Sequence, residues 1–206
     1  MGFAGLSNIV SVVRHEQIRL LKIKPIFIFY QFLIIYNLLS GSLKALNMSK
    51  KHPITPAIRF LRQNGVAFLP FEYDYVEHGG TSHSAQELGV DEHCVIKTIV
   101  LQDENKQAMI VLMHGDCEIS TRNMARFLGA KHIDTATPDK VTKLTGFLVG
   151  GCSPFGTKQA LPVYVERSIL SLPEIYINGG KRGFLVKIKA EDLHILKPIA
   201  VEVAVK

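Results

Sequence analysis

Residues 95–113 read VIKTIVLQDENKQAMIVLM. Two apolar runs, 95–101 and 108–113, flank the polar stretch 103–106, and that pattern predicts a β-hairpin. Upstream, Thr55-Pro56 opens AIRFLRQN and Gly65 follows. A hydroxyl cap, a proline at the first helical position and a terminal glycine predict a helix. Phe68, Phe71, Tyr73 and Tyr75 suggest a strand, which Pro70 places at an edge or at its start. Ser84 with Glu87 three residues on predicts a capping box and a short helix stopped at Gly89. Downstream, Ser120 caps TRNMARFL as far as Gly129. Met124, Phe127 and Leu128 have helical spacing there, with Arg122 and Arg126 on another face. Thr137-Pro138 starts a further short helix. Residues 147–149, 162–166, 175–177, 184–188 and 200–205 read as strands, with a small helix around 191–196. Strands and scattered helices without regular βαβ alternation indicate an α+β fold.

The chain has 206 residues, 47% hydrophobic and 20% charged, enough for one core domain plus an appendage. Three cysteines (Cys94, Cys117, Cys152) with no CxxC pair argue against a disulfide framework or a structural zinc site. They favour a reducing compartment, so a cytoplasmic location is expected. Charge is uneven: residues 1–47 carry five Lys/Arg and one acid, whereas 48–206 hold 19 basic and 17 acidic residues. The net charge of +6 therefore belongs mostly to the first segment and does not by itself argue for nucleic-acid binding.

Within that segment, residues 25–39 (PIFIFYQFLIIYNLL) are strongly apolar but interrupted by Gln31 and Asn37. The run falls short of the roughly 20 residues that cross a bilayer. Three readings stay open: an extension foreign to the functional domain, a membrane or interfacial anchor, and a cleaved signal with Ser40-Gly41-Ser42 behind its apolar run. Met48 opens a different texture, MSKKHPITPA, as a start codon would. The expected organisation is an N-terminal extension, 1–47, and one functional domain, 48–206.

Three glycine pairs punctuate that domain: Gly79-Gly80, Gly150-Gly151 and Gly179-Gly180, next to Thr81, Ser153 and Asn178. Such pairs serve tight turns, or let backbone N–H groups approach an oxyanion. The stretch Gly150-Gly151-Cys152-Ser153-Pro154-Phe155-Gly156 is denser in glycine than a turn requires. Lys97, inside an apolar run, either snorkels from an exposed face or turns its ammonium into a pocket. Cys152 lacks a nearby base and reads as an inert buried thiol. His78, His83 and His93 crowd one region without carboxylates at ligand spacing, so no metal is expected. Lys181-Arg182 and the Arg122/Arg126 face are candidate phosphate contacts.

The ordered set VIKTIV, GFLVGGCSPFGTKQALPVYVE and IYINGGKRGF resembles the YbaK/EbsC family, free-standing aminoacyl-tRNA deacylases related to the editing domain of bacterial prolyl-tRNA synthetases. The resemblance runs from Pro53 to the C-terminus; residues 1–47 have no counterpart. It implies a single domain with a curved mixed sheet flanked by helices, and a crevice for the 3′ aminoacyl-adenosine of a mischarged tRNA. The implied activity is deacylation of Cys-tRNA(Pro), less selectively of Cys-tRNA(Cys), with no cofactor, metal or protein nucleophile. The family lysine falls on Lys97, followed by Thr98. The pocket loop falls on Gly150, Gly151, Ser153 and Pro154, and the crevice aromatic on Tyr73 or Tyr75. Two departures stand out. Asn178, ahead of Gly179 and Gly180, replaces a serine, and Leu185 stands where cysteine-specific members carry an aspartate. Partners implied are tRNA(Pro) and tRNA(Cys); docking on prolyl-tRNA synthetase, and deacylation of alanyl or seryl esters by water, are alternatives the sequence leaves open. So is a non-catalytic tRNA-binding module.

Overall fold

The computed structural model describes residues 52–206, and the readings of residues 1–47 lie outside them. The 95–113 stretch forms the predicted hairpin, β2 (Val95–Asp103) and β3 (Ala108–His114), paired antiparallel from Ile96–His114 to Gln102–Ala108. The Asp103 carboxylate closes the turn by accepting from the N–H groups of Asn105 (2.9 Å) and Gln107 (2.8 Å). Around it lie β1 (Leu69–Glu72), β4 (Glu118–Ile119), β5 (Ile133–Thr135), β6 (Val163–Glu166), β7 (Glu174–Lys181), β8 (Phe184–Lys189), β9 (Ile199–Val201) and β10 (Ala204–Val205). The main sheet runs β1-β8-β7-β2-β3-β6-β9, with β5 also on β2; β10 and β4 form a separate pair. Parallel pairing of β7 with β2, β3 with β6 and β6 with β9, beside antiparallel hairpins, makes the sheet mixed and the fold α+β.

Strand β3 is apolar along its length because both of its faces are covered. Ile110 and Leu112 pack with Ala57, Ile58 and Leu61 of α1 (Pro56–Gln63) and with Phe155 and Phe184. Met109, Val111 and Met113 pack with Met124 and Ala125 of α3 (Thr121–Leu128). Two more helices, α2 (Gly80–Leu88) and α4 (Pro138–Thr145), flank the sheet. Three helix starts follow the predicted chemistry: Thr55, Ser120 and Thr137 accept from the N–H groups of Ile58, Asn123 and Lys140. Among the described residues, no helix is long and apolar enough to cross a membrane.

Three expectations are corrected. Ser84 caps nothing: α2 begins at Gly80, and the Ser84 hydroxyl inside it donates to the Thr81 carbonyl (3.0 Å). Residues 147–149 are not a strand. Phe147 is buried, Leu148 and Val149 are exposed, and the chain turns through a bond from Gly151 N–H to Leu148 O (2.9 Å). Residues 200–205 divide between β9 and β10 because the buried Glu166 carboxylate accepts from the N–H groups of Val203 (2.8 Å) and Ala204 (2.9 Å). Glu166→Ala leaves both donors without their acceptor. Its expected effect is a loss of about 2–3 kcal/mol, read as a lower urea midpoint at unchanged m-value. A midpoint equal to wild type would show that β10 is held by other contacts.

Candidate active site

The candidate site arises where the sheet parts. Strand β3 occupies one edge of β2, so β7 and β5 share the other. Strand β7 follows that edge only at Val95–Tyr176 and Ile96–Ile177, whereas β5 joins it at 101–103. Between them, Lys97, Thr98 and Ile99 border a cavity of about 580 Å3. Beyond its pairing with β2, strand β7 has a register shift against β8 between Asn178 and Lys181. The Asn178 side chain organises that bulge: its oxygen accepts from Gly180 N–H (2.7 Å) and Lys181 N–H (3.2 Å). Its amide nitrogen donates to Gly150 O (3.2 Å), which ties the bulge to the glycine loop.

Tyr73 and Tyr75, the two aromatics between which the sequence left the choice open, both line the cavity. Burial pushes the Tyr73 hydroxyl above its usual pKa, against the opposing effect of its bond with Ser84. Gly150 has φ +82°, and a Cβ there would lie 2.8 Å from the Tyr75 hydroxyl oxygen, so glycine is what lets loop and ring meet. Arg182 completes this wall. Its Nε donates to Val149 O (2.9 Å), and its guanidinium lies 5.1 Å from the Tyr75 ring centroid. Thr81 and Ser84 of α2 also line the cavity. The Thr81 hydroxyl is within hydrogen-bonding distance of a Glu92 carboxylate oxygen (2.8 Å) and of Gly115 O (3.1 Å).

Lys97 lies at the cavity with its side chain 22% exposed, and its ammonium is 3.8 Å from the exposed Glu118 carboxylate. Among the described residues, Thr98 Oγ1 is the buried side-chain oxygen with no hydrogen-bond partner, which leaves it able to bond a ligand. Gly150, Cys152, Asn178 and Leu185 also line the cavity. Burial pushes the Cys152 thiol up to about 11, so it stays protonated at neutral pH and is a poor nucleophile.

Other residues singled out from the sequence are placed differently. Gly151, Ser153, Gly179 and Gly180 do not line the cavity, and Pro154 lines a separate one of about 300 Å3. Ser153 is fully buried and its hydroxyl accepts from Phe155 N–H (3.3 Å). Gly151 N–H is taken by Leu148 O, whereas the N–H groups of Gly150 and Cys152 have no acceptor among the described residues. The three histidines do not converge. His78 lines the cavity, His83 Nε2 lies 2.7 Å from Asp74 O, and His93 Nδ1 lies 2.8 Å from an Asp116 oxygen. Sequence reasoning singled out Thr81, Ser84 and Arg182 for other reasons and missed their place at this cavity. The partners of Thr81, Glu92 and Gly115, lie 11 and 34 residues along the chain, and the Arg182–Tyr75 contact joins still more distant positions.

The model of the aminoacyl-tRNA editing domain family matches residues 78–196, which include both walls of this cavity except Tyr73, Tyr75 and Glu77. An Enterococcus faecalis protein named "Putative Cys-tRNA(Pro)/Cys-tRNA(Cys) deacylase EbsC" is 26% identical over 140 residues, 68% of this chain and 85% of that one. A proline–tRNA ligase of Brachyspira hyodysenteriae is 31% identical over 92 residues, 45% of this chain but only 16% of the ligase. The crystal structure of "a putative trans-editing enzyme for prolyl tRNA synthetase" shares the fold with TM-score 0.64 at 23% identity, covering 75% of this chain and all of that one. The chain belongs to the aminoacyl-tRNA editing domain family.

Proposed function

We propose that this chain is a free-standing deacylase that clears cysteinyl-tRNA(Pro), and less selectively cysteinyl-tRNA(Cys), in the cytoplasm. The observation that carries the reading is the parted sheet edge. It brings Lys97, Thr98, whose hydroxyl has no partner, and Gly150 and Cys152, whose N–H groups are unbonded among the described residues, to the lining of one cavity, which supports this reading. An aminoacyl ester is already activated, so the site need only hold it and stabilise developing negative charge. The N–H groups of Gly150 and Cys152 receive the carbonyl oxygen as it becomes an oxyanion. Lys97 holds the terminal ribose or phosphate and keeps the ester in register, a positioning role. Thr98 bonds the substrate, and Tyr73 and Tyr75 wall the nucleoside end.

With a cysteinyl ester the substrate's own thiol supplies the nucleophile. Sulfur bonds the carbonyl carbon, the ester C–O bond breaks, the thiol proton passes to the departing ribose oxygen, and cysteine leaves as its thiolactone. No protein nucleophile is then required. Accordingly, Cys152→Ala is expected to retain turnover, and the wild-type Cys152 thiol to resist alkylation at neutral pH because it stays protonated until the pH approaches about 11. Loss of turnover in Cys152→Ala would return the thiol to the reaction.

One observation favours a second reading, water-driven removal of a small apolar residue such as alanine. Leu185, together with Val95 and Ile96, makes one wall of the cavity apolar. Pocket size alone separates substrates that differ by a methylene by only about 1–3 kcal/mol, so the substrate must be measured. The full chain is assayed on tRNA(Pro) charged with cysteine, alanine or serine. Cleavage of the cysteinyl ester alone is the expected result. Cleavage of the alanyl ester establishes the water route, and binding without release of any amino acid would mean a tRNA-binding module.

A further inference from the structure

We propose that His93, Asp116 and Cys117 form a binding site for one divalent transition-metal ion of the zinc class, outside the cavity and independent of the deacylase reading. The donors come from two segments that the fold brings together. His93 sits in the 3-10 turn Glu92–Cys94 that leads into β2, and Asp116 and Cys117 lie in the turn that follows β3. One donor atom from each side chain (ring nitrogen, carboxylate oxygen, sulfur) lies within 4.8 Å of the other two. The closest pairs are His93 Nδ1 to Asp116 Oδ1 at 2.8 Å and Cys117 Sγ to the same oxygen at 3.5 Å. Zinc bonds of about 2.0–2.3 Å in a tetrahedral arrangement place donors roughly 3.3–3.8 Å apart, so shifts within about an ångström close the site.

The frame behind these donors is rigid. The His93 ring stacks on the buried His114 ring, with centroids 3.7 Å apart and an interplanar angle of 11°. His114 in turn bonds His93 O through Nδ1 and Ser168 Oγ through Nε2, both at 2.7 Å. His93 N–H donates to the Asp91 carboxylate (3.0 Å), Cys117 N–H donates to His114 O (3.3 Å), and Thr81 bridges the residues beside them, Glu92 and Gly115. Pre-placed ligands of this kind reduce the ordering that binding requires.

The donor set selects the ion. A mixed nitrogen, oxygen and thiolate set suits zinc and its neighbours, whereas magnesium and calcium take oxygen ligands. Three protein donors leave a fourth position for water. Cys117 is buried, whereas His93 and Asp116 are 39% and 36% exposed in their side chains, so an ion has a path from solvent. The balance is simple: the ion replaces the Cys117 thiol proton, which is released, and the proton on His93 Nδ1 moves to Nε2.

The test is titration of the metal-stripped full chain with Co2+. The expected result is a thiolate-to-cobalt charge-transfer band with tetrahedral d–d bands, saturating at one equivalent and displaced by Zn2+. His93→Asn should weaken binding by more than the roughly 10–100-fold that changes to supporting residues cause, and Cys117→Ala should remove the charge-transfer band. Because a variant can misfold, Zn2+ protection from alkylation is mapped on the wild-type chain by mass spectrometry. Protection of Cys117 supports the site. Absence of the band, its survival in Cys117→Ala, or protection of Cys94 instead overturns it.

Discussion

Lys97→Ala is expected to lose at least about 100-fold in kcat/KM for the cysteinyl ester while folding normally, which is about 2.7 kcal/mol of transition-state stabilisation. The two halves of that expectation have separate grounds. The fold survives because, among the described residues, the Lys97 ion pair is to the exposed Glu118 carboxylate at 3.8 Å, and such pairs contribute at most about 1 kcal/mol. Activity is expected to fail because Lys97 lies on the stretch of β2 edge that β7 and β5 leave uncovered, where on the proposed reading its ammonium holds the ribose or phosphate beside the ester. Misplacing the reacting atoms by about an ångström is enough for a loss of that size. Lys97→Arg keeps the charge with a planar head and should recover only part of the rate. Single-turnover deacylation beside urea unfolding reads both halves at once. Full activity in Lys97→Ala would remove this lysine from the mechanism.

Gly150→Ala is expected to lower turnover by about 100- to 1000-fold, the effect of losing one oxyanion donor. Its added Cβ would stand 2.8 Å from the Tyr75 hydroxyl oxygen, and the ring cannot swing freely because Arg182 lies over it and is bonded to Val149 O. Either the ring enters the cavity or the loop withdraws its N–H groups. Backbone strain from φ +82° adds about 1–3 kcal/mol of destabilisation. Gly89→Ala separates strain from geometry. Gly89 has φ +64°, nothing lies within 4 Å of its added Cβ, and it does not line the cavity. That variant should lose stability and keep its rate. Equal rate losses in both variants would show that the Gly150 effect is one of folding alone.

Local chemistry made much of the fold legible. A hydroxyl cap, then helix, then glycine predicts α1, α3 and α4, because the capping bonds are made within three residues. The β2–β3 hairpin is legible for a similar reason: its turn is closed by Asp103 acting on its own neighbours. In two of the three misread elements a distant group takes part. Residues 147–149 have strand-like composition, but Leu148 O accepts from Gly151 N–H and Val149 O from Arg182, 33 residues further along the chain. The break between β9 and β10 depends on a carboxylate 37 residues upstream of Val203.

The candidate site divides in the same way. Lys97 and Gly150 announce themselves as a lysine in an apolar strand and a glycine in a dense loop. That they border one cavity depends on β5 and β7 sharing one edge of β2, which no local pattern encodes. Gly151 and Ser153 share the glycine-loop motif with Gly150 but face elsewhere, one N–H spent on a turn and one hydroxyl bonded to Phe155. His93 has no carboxylate at ligand spacing in the sequence because its partner, Asp116, lies 23 residues away across the hairpin.

The most direct test is a crystal structure of the full chain with a non-hydrolysable 3′-cysteinyl-amido-adenosine. The cavity between β2 and β7 should hold it, with its carbonyl oxygen within hydrogen-bonding distance of the Gly150 or Cys152 N–H and its ribose against Lys97. An analogue seated elsewhere, or one whose carbonyl turns away from the 150–152 backbone, would contradict the account.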